Sequence, residues 1–144
     1  KGLRMAALIH DIGKLHIPGE ILNKPTTLTA LEYQIVKRHP EVGSETLKGI
    51  SFPWPIAQIV SQHHERLDGS GYPRGLRGNQ ILPEVRILSV ADVVEAMASH
   101  RPFRPAYPLE TALDTVRAGA GTLFDERVVQ ACLKVFERGF RFKK

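Results

Sequence analysis

The sequence predicts an all-α fold, a compact bundle of about six or seven helices. Three observations carry that prediction. Apolar residues recur at helical spacing along most of the 144 residues. No segment shows the apolar–polar alternation of a strand. Capping residues, prolines and glycines punctuate the chain at intervals suited to helices.

The elements follow in order. Gly2 to Ile9 reads as an apolar helix stopping near Gly13. Thr29 and Glu32 have capping-box spacing and open a helix carrying Leu31, Ile35 and Val36. Pro40 ends or bends it, and Glu41 to Lys48 continue as a short helix. Pro55 has the position of a first-turn proline ahead of Ile56, Ile59 and Val60, and this helix runs into His63-His64. A long loop, 65–83, holds DGSGYPRGLRGNQILP with Gly69, Gly71, Gly75 and Gly78. A loop of that length in a compact domain is usually functional or disordered. Pro83 leads a helix over Glu84 to Ser99, Pro108 opens another, and Asp125 caps the last, which ends before Gly139. There is no internal repeat or low-complexity tract.

Composition narrows the function classes. Apolar residues make up 42% and charged residues 24%, which excludes a disordered chain. No stretch of ~18 apolar residues exists, so no membrane segment is expected in this chain. One cysteine, Cys132, leaves no intrachain disulfide and points to a reducing, cytoplasmic setting. The net charge of +5 favours an anionic partner or simply aids solubility. The basic residues form no stripe with interleaved aromatics, so nucleic acid is not an expected partner. Arg138, Arg141, Lys143 and Lys144 read as a solvated tail or linker.

Two sets of residues carry chemistry. The Glu84–Ser99 helix has almost no polar face, which predicts burial on most sides, yet Asp92 stands in its middle. A buried carboxylate needs a cation, a metal or several donors, so Asp92 is either half of a salt bridge or a ligand. Four histidines occupy helix ends: His10 joined to Asp11, His39 before Pro40, and the pair His63 and His64. Any one of them alone reads as a cap or a core residue. Adjacent helical residues point about 100° apart, so His63 and His64 share a centre only at a helix end or between two ions. Imidazole with carboxylate suits iron, manganese, zinc or nickel. His16 and His100 lack such a context.

HDIGKLHIPGEILNKP, HPEVG, HHERLDGSGYPRGLRG and SVADVVEAMASHRPFRPA together resemble the HD-GYP family, in the family's motif order, from about Ala6 to Ala131. These are metal-dependent phosphodiesterases of the HD superfamily that act on cyclic di-GMP. The resemblance implies an HD-domain helical bundle and two divalent ions, iron or manganese favoured, zinc or nickel admitted. It assigns the metal to His10, Asp11, His39, His63, His64 and Asp92, with Asp11 bridging. It implies catalytic roles for Asp11 and Lys14, and substrate contacts for Lys14, Tyr72, Arg101 and Arg104. The Gly71-Tyr72-Pro73 motif would shape the nucleotide pocket or meet a diguanylate cyclase domain. Arg66 and Asp68 are expected to pair and pin that loop. Phe103 stands where the family often has tyrosine, and Glu95 where it often has aspartate; neither change suggests a dead site.

The chain starts at Lys1 inside a helical pattern. The expectation is a single domain, 1–144, that lacks the family's upstream helices and the further histidine they supply. It would belong to a larger cytoplasmic signalling protein with a receiver or sensor domain, and bared apolar surface would favour a homodimer. The product is expected to be pGpG, and onward GMP. The rival expectations are a non-catalytic binding module for cyclic di-GMP or a protein, and an HD phosphohydrolase for another nucleotide.

Overall fold

Helix α6, Pro83–Ala98, is the longest element and the one that joins the two halves of the core. In the computed structural model, which describes residues 1–142, it is accompanied by α1 (Gly2–Ile9), α2 (Gly19–Leu22), α3 (Ala30–Val36), α4 (His39–Leu47), α5 (Ile56–Gln62), α7 (Leu109–Ala118) and α8 (Glu126–Glu137). Tighter 3₁₀ turns span Ile12–His16 and Gly78–Gln80. Among the described residues the only β-type pairings are isolated bridges, so the all-α prediction holds. Eight α-helices lie among the described residues; α2 is a single turn after Pro18, too short to leave a periodic signature, and the other seven match the expected number.

One half of the core gathers Ala6, Leu47, Ile56, Ile59 and Val60 against Val85 and Leu88 of α6. The other gathers Val90 and Val94 of α6 with Ala112, Leu113, Val116, Phe124, Val129, Leu133 and Phe136. Each such aliphatic or aromatic side chain contributes about 1.5–3 kcal/mol when fully buried. Because α6 serves both halves, the expected burial on most sides is only partly met. Ile87 and Ala91 stay on the surface, on a strip that neither half reaches.

Boundaries follow local chemistry. The Thr29–Glu32 capping box forms, and Lys24 clamps Glu32 at 2.7 and 2.9 Å. The break between α3 and α4 falls at residues 37–38, one step before the expected stop, because Pro40 fits the first turn of α4 without losing a hydrogen bond. At the other end of the chain, Arg141 donates to the carbonyls of Phe136 and Phe140, so it closes α8 instead of forming part of a free tail; Lys143 and Lys144 lie outside the described residues.

Asp125 caps α8 through Arg127 N–H at 3.0 Å and pairs with Arg86 at 3.1 Å. Partial burial pushes its carboxyl up, but the backbone donors and Arg86 outweigh it and hold it below the ordinary range. Asp125→Ala is therefore expected to cost about 1–2 kcal/mol near neutral pH, read as a lower melting temperature. A depressed acid stabilises the fold above its unfolded pKa and loses that contribution as pH falls through the folded value. The gap between wild type and variant should thus narrow below about pH 4.

Candidate metal centre

Asp11 lies just after α1, and His39, His63 and His64 lie at the start of α4 and the end of α5. These four residues bring one ligand atom each within 4.8 Å of one another. Glycine makes this approach feasible. The backbone at Gly13 runs so close to α4 that a β-carbon there would overlap the His39 carbonyl and Gly43 N–H. Gly13→Ala is expected to lose about 3 kcal/mol of stability and to separate Asp11 from His39, seen together as a lower melting temperature and reduced metal content.

The histidines are aimed by carbonyls at helix ends. Nδ1 of His10, His39 and His63 lies 2.8, 2.7 and 2.7 Å from the carbonyls of Ala7, Val36 and Val60, three residues back in each case. That contact places the proton on Nδ1 and turns the Nε2 lone pair inward. His39 Nε2 and His63 Nε2 are then 3.1 Å apart in a buried setting. Two facing lone pairs repel unless a cation lies near both. Nε2 of His10 is buried with no hydrogen-bond partner, 3.5 Å from oxygens of both Asp11 and Asp92. Inward lone pairs, an orphaned nitrogen and carboxylates among them make a donor set that fits a divalent ion.

Asp11 faces two ways. Oδ1 lies 3.2 Å from His39 Nε2 and 3.7 Å from His63 Nε2, while Oδ2 lies 2.6 Å from Lys14 Nζ and 3.5 Å from His10 Nε2. Burial pushes its carboxyl up, but the close approach of His39 and His63 and the hydrogen bond from Lys14 hold it well below the usual carboxylate range. Burial likewise opposes ionisation of Asp92, and His10 overcomes it. His10 in turn is pushed down by burial and raised on balance by Asp92 and Asp11. Burial depresses His63, and it depresses His64 further, with His63 and His39 adding to the effect. The pocket therefore favours neutral imidazoles at His63 and His64 beside the ionised carboxylates of Asp11 and Asp92, while His10 is drawn toward its charged form by those carboxylates.

The loop after α5 is sewn to this centre. Gly71 passes directly over the His64–Arg66 backbone, where a β-carbon would strike His64 O and Arg66 N, and Tyr72 N–H donates to His64 O at 3.2 Å. Gly69, Gly75 and Gly78 take positive φ angles, which glycine adopts without a steric cost. The Tyr72 ring stacks on His64 at 4.8 Å between centroids, so part of its face is already in use. Sequence reasoning gave no role to Glu65, which is 2% exposed and accepts from Arg74 N–H at 2.7 Å and Leu76 N–H at 2.8 Å. Its place in the HHE triplet was the available signal.

One expectation needs correction. Arg66 and Asp68 form no ion pair. Asp68 folds back on Ser70, as turn aspartates do, while Arg66 donates to Glu65 O and lies over the Phe124 ring. The Arg104 guanidinium is engaged with the Ala96, Met97 and Pro105 carbonyls, where it closes the end of α6. Arg101 pairs with Glu95 at 3.3 Å. Neither arginine touches the cluster in this structure.

The model of the HD domain family matches residues 1–128. The chain belongs to that family. Among HD domains it carries the HD-GYP motifs, as the resemblance implied. It is 47% identical over 134 residues to the cyclic di-GMP phosphodiesterase response regulator RpfG of Xanthomonas campestris, covering 92% of this chain and 35% of that protein. It is 39% identical over 132 residues to 3'3'-cGAMP-specific phosphodiesterase 3 of Vibrio cholerae, covering 92% and 29%. This HD domain thus spans about a third of the length of these curated relatives. Its fold matches that of a HDG"Y"P protein from Bdellovibrio bacteriovorus with a TM-score of 0.75, at 21% identity, over 94% of this chain and 43% of the other. No helix among the described residues is long and apolar enough to cross a membrane.

Proposed function

We propose that this chain is a metal-dependent phosphodiesterase domain that hydrolyses cyclic di-GMP to linear pGpG, and onward to GMP. The observation that carries the reading is the inward-facing set of Asp11, His39, His63 and His64. The two-way carboxylate of Asp11 supports two ions, one toward His39, His63 and His64 and one toward His10 and Asp92. Iron or manganese suits this mixed set best, with zinc or nickel also accommodated. Divalent ions bound there supply Lewis-acid activation of water and neutralise charge on the phosphoryl oxygens.

The chain's own residues do the rest. Asp11, low in pKa, stays ionised and keeps the centre anionic before substrate arrives. Lys14 holds an ammonium 2.6 Å from Asp11 Oδ2, placed to meet the phosphate or the departing ribose 3′-oxygen. Tyr72 fixes the His64 ring and walls the pocket. Arg101 reaches the substrate by exchanging its exposed Glu95 partner. Arg104 holds the turn that carries Arg101, through paired backbone bonds of 3.0 and 3.1 Å between the two residues.

The chain reads as one domain, 1–144, with loop 65–83 as its recognition element, working as the cytoplasmic output module of a larger protein. The response-regulator name of the RpfG relative supports a receiver or sensor domain in the parent. Leu8 and Leu15, 78% and 82% exposed beside the centre, support a contact there, either within the parent or in a homodimer. A diguanylate cyclase domain would meet the loop on its outer side.

The test is metal analysis of anaerobically purified protein, together with hydrolysis of cyclic di-GMP and 3'3'-cGAMP under added iron or manganese. Two ions per chain with preferred turnover of cyclic di-GMP supports the reading. Preferred turnover of 3'3'-cGAMP, as the Vibrio relative's name suggests, would revise the substrate. Ligand binding without turnover, in this chain and in its full-length parent, would make it a binding module.

A further inference from the structure

Lys14, Arg66 and Lys37 stand near the centre, and the first two are committed. Lys14 is bound to Asp11, and Arg66 is spent on the Glu65 carbonyl and the Phe124 ring. The third is Lys37. Its ammonium lies 4.8 Å from the centroid of the Tyr72 ring and 5.7 Å from that of Tyr33. Among the described residues it has no carboxylate partner. It is not a free surface lysine either. The residue is half-buried, and its backbone ends α3 by donating to the Tyr33 and Ile35 carbonyls. Two residues on, His39 anchors Nδ1 to the Val36 carbonyl, so the segment is tied on both sides of Lys37.

An ammonium resting on tyrosine rings without a counter-charge retains most of its capacity to bind an anion. Its place in the fold says which anion. Tyr72, the ring beneath it, also stacks on His64 of the centre, so Lys37 stands one ring away from the ligand cluster. A cyclic dinucleotide has two phosphodiesters in one macrocycle. When one lies at the metal cluster, the other is held away from it across that ring. We propose that Lys37 binds this second, non-reacting phosphodiester, with Tyr72 as the platform that positions its ammonium. This rests on the phosphodiesterase reading above and adds a specificity residue for cyclic dinucleotides over simple diesters. Lysine suits the task as a compact point charge with three donors, which needs no particular orientation of the phosphate.

The test compares Lys37→Met and Lys37→Arg with the wild type. Equilibrium binding of fluorescently labelled cyclic di-GMP, in chelator and with manganese, reads affinity apart from turnover. Steady-state hydrolysis of cyclic di-GMP and of bis(p-nitrophenyl) phosphate, which has a single phosphate, reads the two subsites separately. Lys37→Met is expected to weaken cyclic di-GMP binding about tenfold at low salt and to raise KM similarly, with the difference shrinking at high salt. Turnover of bis(p-nitrophenyl) phosphate and metal content should stay at the wild-type level, and Lys37→Arg should recover most of the affinity. Unchanged binding by Lys37→Met overturns the proposal. So does an equal loss on both substrates with lower metal content, since that marks Lys37 as a support for Tyr72 and His64 alone. A wild type that turns over bis(p-nitrophenyl) phosphate yet does not bind cyclic di-GMP overturns the substrate assignment as well, which separates the two failures.

Discussion

Asp11→Asn should abolish turnover of cyclic di-GMP, with kcat/KM falling by about a thousandfold or more. The reason is the double duty of this carboxylate. Oδ1 serves the His39–His63 side and Oδ2 serves the His10–Lys14 side. Asparagine keeps the shape but leaves one oxygen, no charge, and an amide that cannot serve as an anionic ligand. Metal content should fall by at least one ion per chain. Helix content by circular dichroism should stay constant, because the two hydrophobic clusters do not include Asp11. Full metal occupancy with near-native turnover in this variant would mean that Asp11 does not link two subsites.

Glu65→Ala should be the most destabilising of the loop substitutions, by about 3–4 kcal/mol. The buried carboxylate accepts from the Arg74 and Leu76 amides. Removing it orphans two buried donors and opens a void beneath the loop. The effect should reach function too, since the same loop carries Tyr72 onto His64. Urea denaturation gives the stability loss, and hydrogen exchange at the Arg74 and Leu76 amides shows whether the loop has been released. Glu65→Gln should recover part of the loss, because its amide oxygen accepts one N–H while its amide nitrogen faces the other. Protection at both amides in Glu65→Ala would contradict this account.

Much of the helical framework can be read in the letters because its causes are local. Thr29 with Glu32 and Asp125 before α8 cap their helices as their types dictate. The histidines and Asp11 were recognisable because few residue types ligate metal, and the motif spacing singles them out. What stayed hidden depends on packing between segments distant in the chain. Gly13 matters because α4 passes against it, and Gly71 because it crosses the backbone after His64. The surface strip of Ile87 and Ala91 arises because α6 is wedged between two cores and neither covers that side. The Arg66–Asp68 expectation failed through competition. Each partner found a nearer group, Ser70 for one and the Glu65 carbonyl with Phe124 for the other.

The carbonyl contacts at His10, His39 and His63 have a consequence for how this domain behaves when an ion comes and goes. Each ring is tethered to a carbonyl at a helix end, so its rotational freedom is already lost when the chain folds. An arriving ion meets a finished cradle and has little left to order. If the centre holds metal as proposed, chelation should strip it and stop turnover while leaving the melting curve cooperative and the helical signal intact, unlike a zinc finger that collapses without its ion. In such a protein the metal would be a detachable tool and not a keystone, and activity would follow metal supply with the folded chain waiting unchanged.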